Sequence, residues 1–506
     1  MNKLKLNSSS ITFLPILVCI PLAYELFINF HIGGIELFKE FIISALNPKI
    51  NNEIIFTLVK RLNETIFIAF FSWLISIIFG VIFGILSSEI FYKILNLPIF
   101  LKRFLNLFLT FIRSIHEIIW GLILIQIYGI NFSIGIIAIC IPYVAINAKV
   151  FSEQIENINL KTIESIKQIN GIKSSTLITL VWAPVIETFK NFGLYRLECA
   201  IRSTAVLGLF GVGGIGTSIF LSFQTLNFRE LWTYLWGLAF LIIISKKLLK
   251  RFNLSNTSKN FLTSFVIALF CISLFSLSFF VYFIFNKNAI PFNSINNLLI
   301  SNFNFISYDF LKLLLETIVL CLLSTGIAIS FPPIFILILN NKIGITIIRI
   351  ISFLFRLIPP PVLILILLMF NDPSISLAAI TLGLHNAAIT SKLLLANLHN
   401  QDNKQYIAMK SLGVSKRSSW LFGLFVKQSK SYLAYCAYRS DIIIRETAIL
   451  GVIGSVGLGG QLQESLTSFA WEEVIIILFA YSSIALVGEL INGKIKSNLT
   501  LSLIHI

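Results

Sequence analysis

Long apolar stretches constrain this chain more than any other feature. Each of five is long enough to cross about 30 Å of hydrocarbon at about 1.5 Å per residue. They lie near residues 11–30, 64–86, 261–285, 311–339 and 472–492. Further apolar stretches are shorter or carry Pro, Gly or a charge, which a packed bundle shelters but lipid does not: 106–128, 131–149, 201–222, 229–245, 350–370, 374–398 and 440–462. The sequence therefore predicts an all-α, polytopic transmembrane bundle with about twelve spans.

Composition and charge agree with a membrane class. Hydrophobic residues make up 57% of the 506 residues and charged residues only 12%, too few for a water-soluble domain of this size. The formal net charge of +16 comes from basic residues in loops and at span ends, as the positive-inside rule expects, so we expect no nucleic-acid partner. The same rule predicts that both termini are cytoplasmic and that segments 31–59 and 286–310 are external.

An internal repeat organises the chain. Residues 195–208, YRLECAIRSTAVLG, recur as residues 438–451, YRSDIIIRETAILG, with a period of 243. Upstream, LNET at 62–65 corresponds to LLET at 314–317. We interpret the chain as two parallel tandem copies, residues 1–250 with a core of about 50–250, and residues 251–506 with a core of about 300–495. Parallel copies of this kind enclose a path on their shared axis.

The repeated segment carries charges that are costly inside a bilayer, about 2.5–3.5 kcal/mol for an arginine at the centre. Two acid–arginine pairs have the favourable i, i+4 spacing of a helix: Glu198 with Arg202, and Asp441 with Arg445. The other two arginines, Arg196 and Arg439, are interpreted as reaching along their helices toward the cytoplasmic interface.

Residues 195–216, YRLECAIRSTAVLGLFGVGGIG, carry a family resemblance. They resemble the signature of the integral-membrane subunits of binding-protein-dependent ABC importers, and among them the phosphonate permeases; residues 451–460 are a looser second copy. The resemblance implies the type I ABC importer permease fold in a bacterial plasma membrane. It also implies import of phosphonate or a related phosphorus oxyanion, with an extracytoplasmic substrate-binding protein and a cytoplasmic ATPase dimer as partners.

The energy source is expected on another polypeptide. The chain contains no G-x-x-x-x-G-K-[ST] element. We therefore expect a transport subunit rather than an enzyme, with no cofactor of its own and with ATP and Mg²⁺ bound by the partner ATPase.

A glycine-rich run in each copy allows two interpretations. Small residues let helices approach closely in a bilayer, and the same residues are candidates for a gate. The glycines concerned are Gly208, Gly211, Gly213, Gly214 and Gly216 in the first copy, and Gly451, Gly454, Gly457 and Gly459 in the second.

Two polar segments, 153–183 and 399–429, are longer than a tight helix connection needs. In the family that the chain resembles, this loop is a coupling helix that docks in a groove of the ATPase. The matching positions are Glu164, Ser165, Gly171 and Pro184 in the first copy, and Ala408 and Gly413 in the second.

Arg202 and Arg445 are the candidates for the translocation path, since guanidinium groups match phosphonate oxygens. Glu198 and Asp441 would moderate them, because passage needs weak sites. Helix stabilisation alone is the alternative. Phosphite, methionine and quaternary amines stay open as substrates, and an ion-coupled secondary transporter stays open as a different class.

Overall fold

The computed structural model describes residues 12–95, 97–156, 174–254, 308–399, 401–454 and 456–498, and the regular structure in these ranges is helical. The β-contact found among them is an isolated bridge between Phe30 and Asn371. Apolar runs of this length fold as helices because backbone groups in hydrocarbon must pair within their own segment. The predicted all-α class is confirmed.

The helices are named in chain order. A 3-10 turn, Leu14–Val18, leads into α1 (Cys19–Ile28) and α2 (Gly34–Leu46). The first half continues with α3 (Asn52–Ser87), α4 (Glu89–Leu95), α5 (Ile99–Ser114), α6 (Glu117–Tyr128), α7 (Phe132–Glu156), α8 (Ser174–Gly208), α9 (Ile215–Gln224) and α10 (Phe228–Leu254). The second half contains α11 (Tyr308–Ile338), α12 (Lys342–Leu357), α13 (Pro360–Leu367), α14 (Ile375–His399), α15 (Lys404–Ser411), α16 (Lys416–Trp420), α17 (Val426–Gly454), α18 (Gly457–Thr467) and α19 (Trp471–Asn498). A π-helical segment, Leu421–Phe425, joins α16 to α17.

The repeat in sequence is also a repeat in secondary structure. Four helices of the second half begin 243 residues after their counterparts, at 99 and 342, 117 and 360, 132 and 375, and 228 and 471. Thus α5, α6, α7 and α10 correspond to α12, α13, α14 and α19. Each half therefore builds the same succession of helices from a different set of side chains.

Six of the described helices are long and apolar enough to cross a membrane, and the number rises to nine if each of three bent helix pairs counts as one span. A multi-pass membrane protein is thus confirmed. The figure of about twelve stays a prediction, because the expected span at 261–285 lies outside the described residues.

Two predicted spans, 106–128 and 350–370, are broken helices. α5 and α6 meet at 82°, and α12 and α13 meet at 100°. In the first pair the backbone of Ile115 and His116 is extended, and the His116 Nδ1 atom accepts a hydrogen bond from the Ile118 N–H at 3.3 Å, which caps α6. In the second pair Pro359 and Pro360 end the helix, because proline disfavours helical backbone in the residue before it and has no N–H to donate.

The chain divides into two compact units. The first-half unit is Ser44–Leu299, and the second-half unit combines Met1–Ile43 with Ile300–Ile506. The N-terminal segment belongs to the latter through its described contacts: the Asn371 side chain donates to the Leu26 carbonyl at 2.7 Å, and the His31 N–H donates to the Phe370 carbonyl at 2.6 Å. The sequence-based division at residue 250 instead groups this segment with the helices that follow it in the chain. Tertiary contacts, which a sequence division cannot weigh, place it with the second half.

Candidate translocation and coupling sites

The glycine-rich run brings two helices together in each unit. A Cβ atom added to Gly216 would lie 1.9 Å from the carbonyl oxygen of Ala205 and 2.9 Å from the Gly208 Cα. In the second half, a Cβ on Gly459 would lie 2.6 Å from the Gly451 Cα. Backbone atoms at these distances cannot give way, so the glycines permit a helix contact that any other residue would separate. These are packing contacts, and the gating role stays a prediction.

The turn between α8 and α9 needs glycine for a second reason. Gly211, Gly213 and Gly214 have φ of +89°, +110° and +81°, in the region that L side chains rarely adopt. In the second half, Gly457 has φ of +59° at the start of α18. Gly454, the last residue of α17, does not have a positive φ, and an added Cβ there would lie 3.1 Å from a side-chain atom of Ile364.

The threonine of the repeated Glu-Thr pair, in α3 and in α11, holds the helix that follows each glycine turn. The Thr65 Oγ1 atom accepts a hydrogen bond from the Ile215 N–H at 2.8 Å, and the Thr317 Oγ1 atom accepts one from the Leu458 N–H at 3.0 Å. In the first half the Glu64 carboxylate also accepts a backbone N–H of the turn at 3.1 Å. The recurrence of threonine in the two copies therefore has a structural cause, since its side-chain oxygen satisfies an N–H that a helix start leaves unpaired.

Both predicted acid–arginine pairs form within their helices. Arg202 donates to Glu198 at 2.8 Å, and Arg445 donates to Asp441 at 2.6 Å. In the first half Lys246 also approaches Glu198, with 3.0 Å between the ammonium nitrogen and a carboxylate oxygen. Each arginine is thus neutralised on its own helix, as the i, i+4 spacing indicates. Contact of these residues with a translocated anion stays a prediction.

Arg439 forms a buried network that sequence reasoning missed. Its Nε atom donates to the Asn386 Oδ1 atom at 2.5 Å, and its Nη2 atom donates to the Glu446 Oε1 atom at 3.3 Å. The Asn386 side chain in turn donates to the other Glu446 oxygen at 2.9 Å. Arg439 is 9% exposed and Asn386 is fully buried. The interpretation that this arginine reaches toward the interface is therefore wrong, because its partners hold it inside the bundle.

Arg196 occupies the same slot in the first half but has different neighbours. Its guanidinium carbon lies 3.6 Å from the centre of the Tyr143 ring, a cation–π contact, and the residue is 8% exposed. The Tyr143 hydroxyl lies 2.8 Å from the Ser203 Oγ atom, which donates to Glu117 at 2.6 Å. The interface interpretation is wrong here also.

The repeat marks the positions of these neighbours without showing that they are in contact. Tyr143 and Ser203 stand 243 residues before Asn386 and Glu446, respectively. Polar residues at matched positions of apolar helices indicate that these positions face the interior of each bundle.

The second polar segment contains a short, largely exposed helix that packs on the bundle through Tyr406. No residue of α15 is buried, and Ile407 and Leu412 are 61% and 81% exposed. The surrounding basic residues are Lys404, Lys410, Lys416 and Arg417. We name residues 401–425 the coupling segment. It presents two large apolar side chains in a basic setting, and Ala408 is also on its exposed surface.

Gly413 ends this helix with a glycine cap. Its φ is +79°; its N–H donates to the Lys410 carbonyl, and the Val414 N–H donates to the Met409 carbonyl, both at 3.1 Å. This pair of bonds is the Schellman motif, which requires a left-handed residue at the glycine position. The predicted glycine is therefore the residue that stops α15.

Aromatic packing anchors the other end of the coupling segment. The rings of Trp420 and Phe425 stack with 5.3 Å between centroids, and both residues are buried. A Cβ on Gly423 would lie 2.9 Å from the Cα of Tyr406, so the π-helical segment touches the backbone of α15. The protruding helix is thus held against a buried aromatic base.

In the first half, Glu164, Ser165 and Gly171 lie outside the described residues, and Pro184 lies within α8. The coupling role of the first loop, residues 153–183, therefore stays a prediction.

Repeated membrane helices, buried charges and a protruding polar segment characterise this multi-pass membrane protein. No protein-family model matches the chain. The phosphite transport system permease protein PtxC of Stutzerimonas stutzeri is 28% identical over 122 residues, 24% of this chain and 44% of that relative. The phosphate-import permease protein PhnE of Mycolicibacterium smegmatis is 21% identical over 428 residues, 77% of each chain. The resemblance to permeases for phosphorus oxyanions is confirmed.

Two phosphite permease relatives from Stutzerimonas stutzeri, the putative HtxE and PtxC, are matched over less than half of their own length, 46% and 44%. Among solved structures, an amino acid ABC transporter crystallised with histidines covers 42% of this chain and 99% of its own, with a TM-score of 0.31 and 21% identity. That score is too low to define the fold, which rests here on the helices themselves.

Proposed function

We propose that this chain is the transmembrane permease subunit of an ATP-driven ABC importer that moves phosphonate or a related phosphorus oxyanion across the plasma membrane. The observation that carries the proposal is the coupling segment. α15 exposes Ile407 to 61%, and Leu412 at its end is 81% exposed; full burial of a side chain of this size is worth about 1.5–3 kcal/mol. A helix-in-groove contact with a partner provides such burial.

The partner in this proposal is a cytoplasmic ATPase dimer, which binds ATP and Mg²⁺ and drives transport through the coupling segment. An extracytoplasmic binding protein delivers the substrate. Similarity to phosphite and phosphate-import permeases supports phosphorus oxyanions as the substrate class. Phosphonate is the substrate predicted by the motif at residues 195–216.

Reconstituted transport tests the proposal. The chain, its ATPase and its binding protein would be placed in liposomes, and uptake of radiolabelled phosphonate, phosphite and phosphate would be measured with and without ATP. We expect ATP-dependent uptake of at least one of these anions. Absence of ATP-dependent uptake of all three by a correctly inserted complex would refute the function.

The arginine pairs are the proposed weak sites of the path. In Arg202 and Arg445 the guanidinium is neutralised by an acid one turn earlier, so a passing anion exchanges partners rather than binding tightly. A reversed variant, Glu198→Arg with Arg202→Glu and the matching exchange at Asp441 and Arg445, keeps the helix pairing and moves the positive charge. We expect slower uptake at normal membrane levels. Uptake at the wild-type rate would leave helix stabilisation as the role of the pairs.

Orientation is part of the proposal, with both termini and the coupling segment in the cytoplasm. A single cysteine at Lys404 should react with an impermeant maleimide in inverted vesicles and stay unlabelled in intact cells. Labelling from outside intact cells would reverse the topology.

An ion-coupled secondary transporter is the second candidate, and the broken helices favour it. The break at residues 115–116 adjoins Glu117, which accepts a hydrogen bond from Ser203 at 2.6 Å, and carriers use broken helices for substrate sites. An imposed proton or sodium gradient without the ATPase separates the two functions. Gradient-driven uptake by the chain alone would support the carrier.

A further inference from the structure

The helices that flank the coupling segment in the chain also share a polar contact deep in the bundle. α14 ends at His399 and α17 begins at Val426. Asn386 lies near the middle of α14 and Arg439 near the middle of α17, each about 20 Å from the coupling segment at about 1.5 Å per residue. The two side chains therefore meet at the same distance from the segment along both helices.

The contact ties the two helices through one amide. Asn386 accepts from Arg439 at 2.5 Å and donates to Glu446 at 2.9 Å, so a residue of α14 bonds two oppositely charged groups of α17. The side chains of Arg439 and Glu446 are only 10% and 12% exposed. Sliding α14 along α17 would leave buried charges without their neutral bridge, which is strongly unfavourable in an apolar bundle.

We propose that the Asn386–Arg439–Glu446 network is a clamp that joins α14 and α17 into one lever. Displacement of the coupling segment by the ATPase then reaches the middle of both helices instead of bending one of them. Arg439 is a positioning residue in this inference, which rests on the proposed function.

The first half supports a mechanical rather than a substrate-binding role. There the arginine at the matching position, Arg196, rests on the ring of Tyr143, so α8 and α7 are joined by a cation–π contact. An aromatic ring in one half and an amide with a carboxylate in the other offer different chemistry to an anion. The two halves share one property. In each half, the helix after the polar loop carries a buried arginine that is held by the helix before that loop.

Cross-linking tests the clamp. In a chain otherwise free of cysteine, Asn386→Cys and Arg439→Cys would be combined and bridged by a short bifunctional thiol reagent. Uptake per ATP hydrolysed would be measured in proteoliposomes before and after bridging, beside Arg439→Gln. We expect Arg439→Gln and the unbridged double variant to lose about tenfold or more in uptake per ATP, as expected for loss of a charge-assisted link. Bridging should restore most of it.

Ser440→Ala is the matched control. The Ser440 Oγ atom lies 3.1 Å from the Asn492 Oδ1 atom, so this change removes a contact between α17 and α19 and leaves α14 alone. Its uptake per ATP should equal that of the wild type.

The outcomes separate the clamp from the function on which it rests. Wild-type uptake without any ATP dependence would refute the proposed function itself. With wild-type coupling intact, two results would overturn the clamp: an unchanged ratio in Arg439→Gln, or a bridged double variant that stays uncoupled. If Arg439→Gln fails to fold, the test rests on the folded double variant alone, since the same protein is measured before and after bridging.

Discussion

Replacing Gly413 tests the coupling segment most directly, because the structure isolates one physical effect. Gly413 has φ of +79°, and an added Cβ would meet no atom within 4 Å. A Gly413→Val variant therefore suffers backbone strain without a steric clash. Left-handed backbone costs an L residue about 1–2 kcal/mol, and more when the residue is β-branched. That cost lowers the population of the capped helix by a factor of about 5–30.

Hydrogen exchange followed by mass spectrometry measures the cap without the partner. In Gly413→Val we expect faster exchange at the amides of residues 413 and 414, because these two amides donate the Schellman hydrogen bonds in the wild type. The affinity for the ATPase and the rate of ATP-driven uptake should fall with it. Gly413→Asn is the control, because asparagine tolerates the left-handed region and should keep most of both.

Two results would refute this reasoning. If Gly413→Val exchanged and transported like the wild type, the cap would not order the segment. If Gly413→Asn lost as much uptake as Gly413→Val, the glycine would be needed for close contact with the partner rather than for its backbone conformation.

Three further changes test the packing and the electrostatics. Gly216→Ala should cost about 1–3 kcal/mol of stability by overpacking, and this loss should lower the melting temperature in detergent. Gly493→Ala is the control and should leave the melting temperature unchanged, because its added Cβ would have nothing within 4 Å. Thr65→Val should cost about 1–2 kcal/mol by leaving a buried helix N–H unpaired, and Thr65→Ser should restore it in the same assay. Hydrogen bonding to Lys93 lowers the pKa of Glu89. The Glu89–Lys93 ion pair therefore stabilises the protein above the ordinary glutamate pKa, and this stabilisation is lost as pH falls through the lowered pKa. Lys93→Gln should flatten this acid-side loss in a melting-temperature series, by a small amount that added salt reduces.

Local pattern in the sequence predicts the helices and their duplication well. Apolar length determines that residues 52–87 and 308–338 form long helices, since hydrocarbon permits few other backbone arrangements. The pairing of Glu198 with Arg202 is also local, because residues four apart share a helix face. The glycine at position 413 is recognisable because a left-handed cap selects it.

Contacts between helices depend on which faces meet, and periodicity carries no such information. The sequence shows Arg439 in an apolar helix but does not show that Asn386 lies beside it, so snorkelling and burial look alike until both helices are placed. In the same way, the sequence shows His116 and Pro359 inside the stretches 106–128 and 350–370 but does not show that the chain bends by 82° and 100° there. The N-terminal segment packs with the second half because its side chains fit the surface at 369–376, a complementarity that exists only in three dimensions. The sequence by itself thus determined which segments are helices and that they occur twice, whereas the tertiary structure alone decided which buried charges are neighbours.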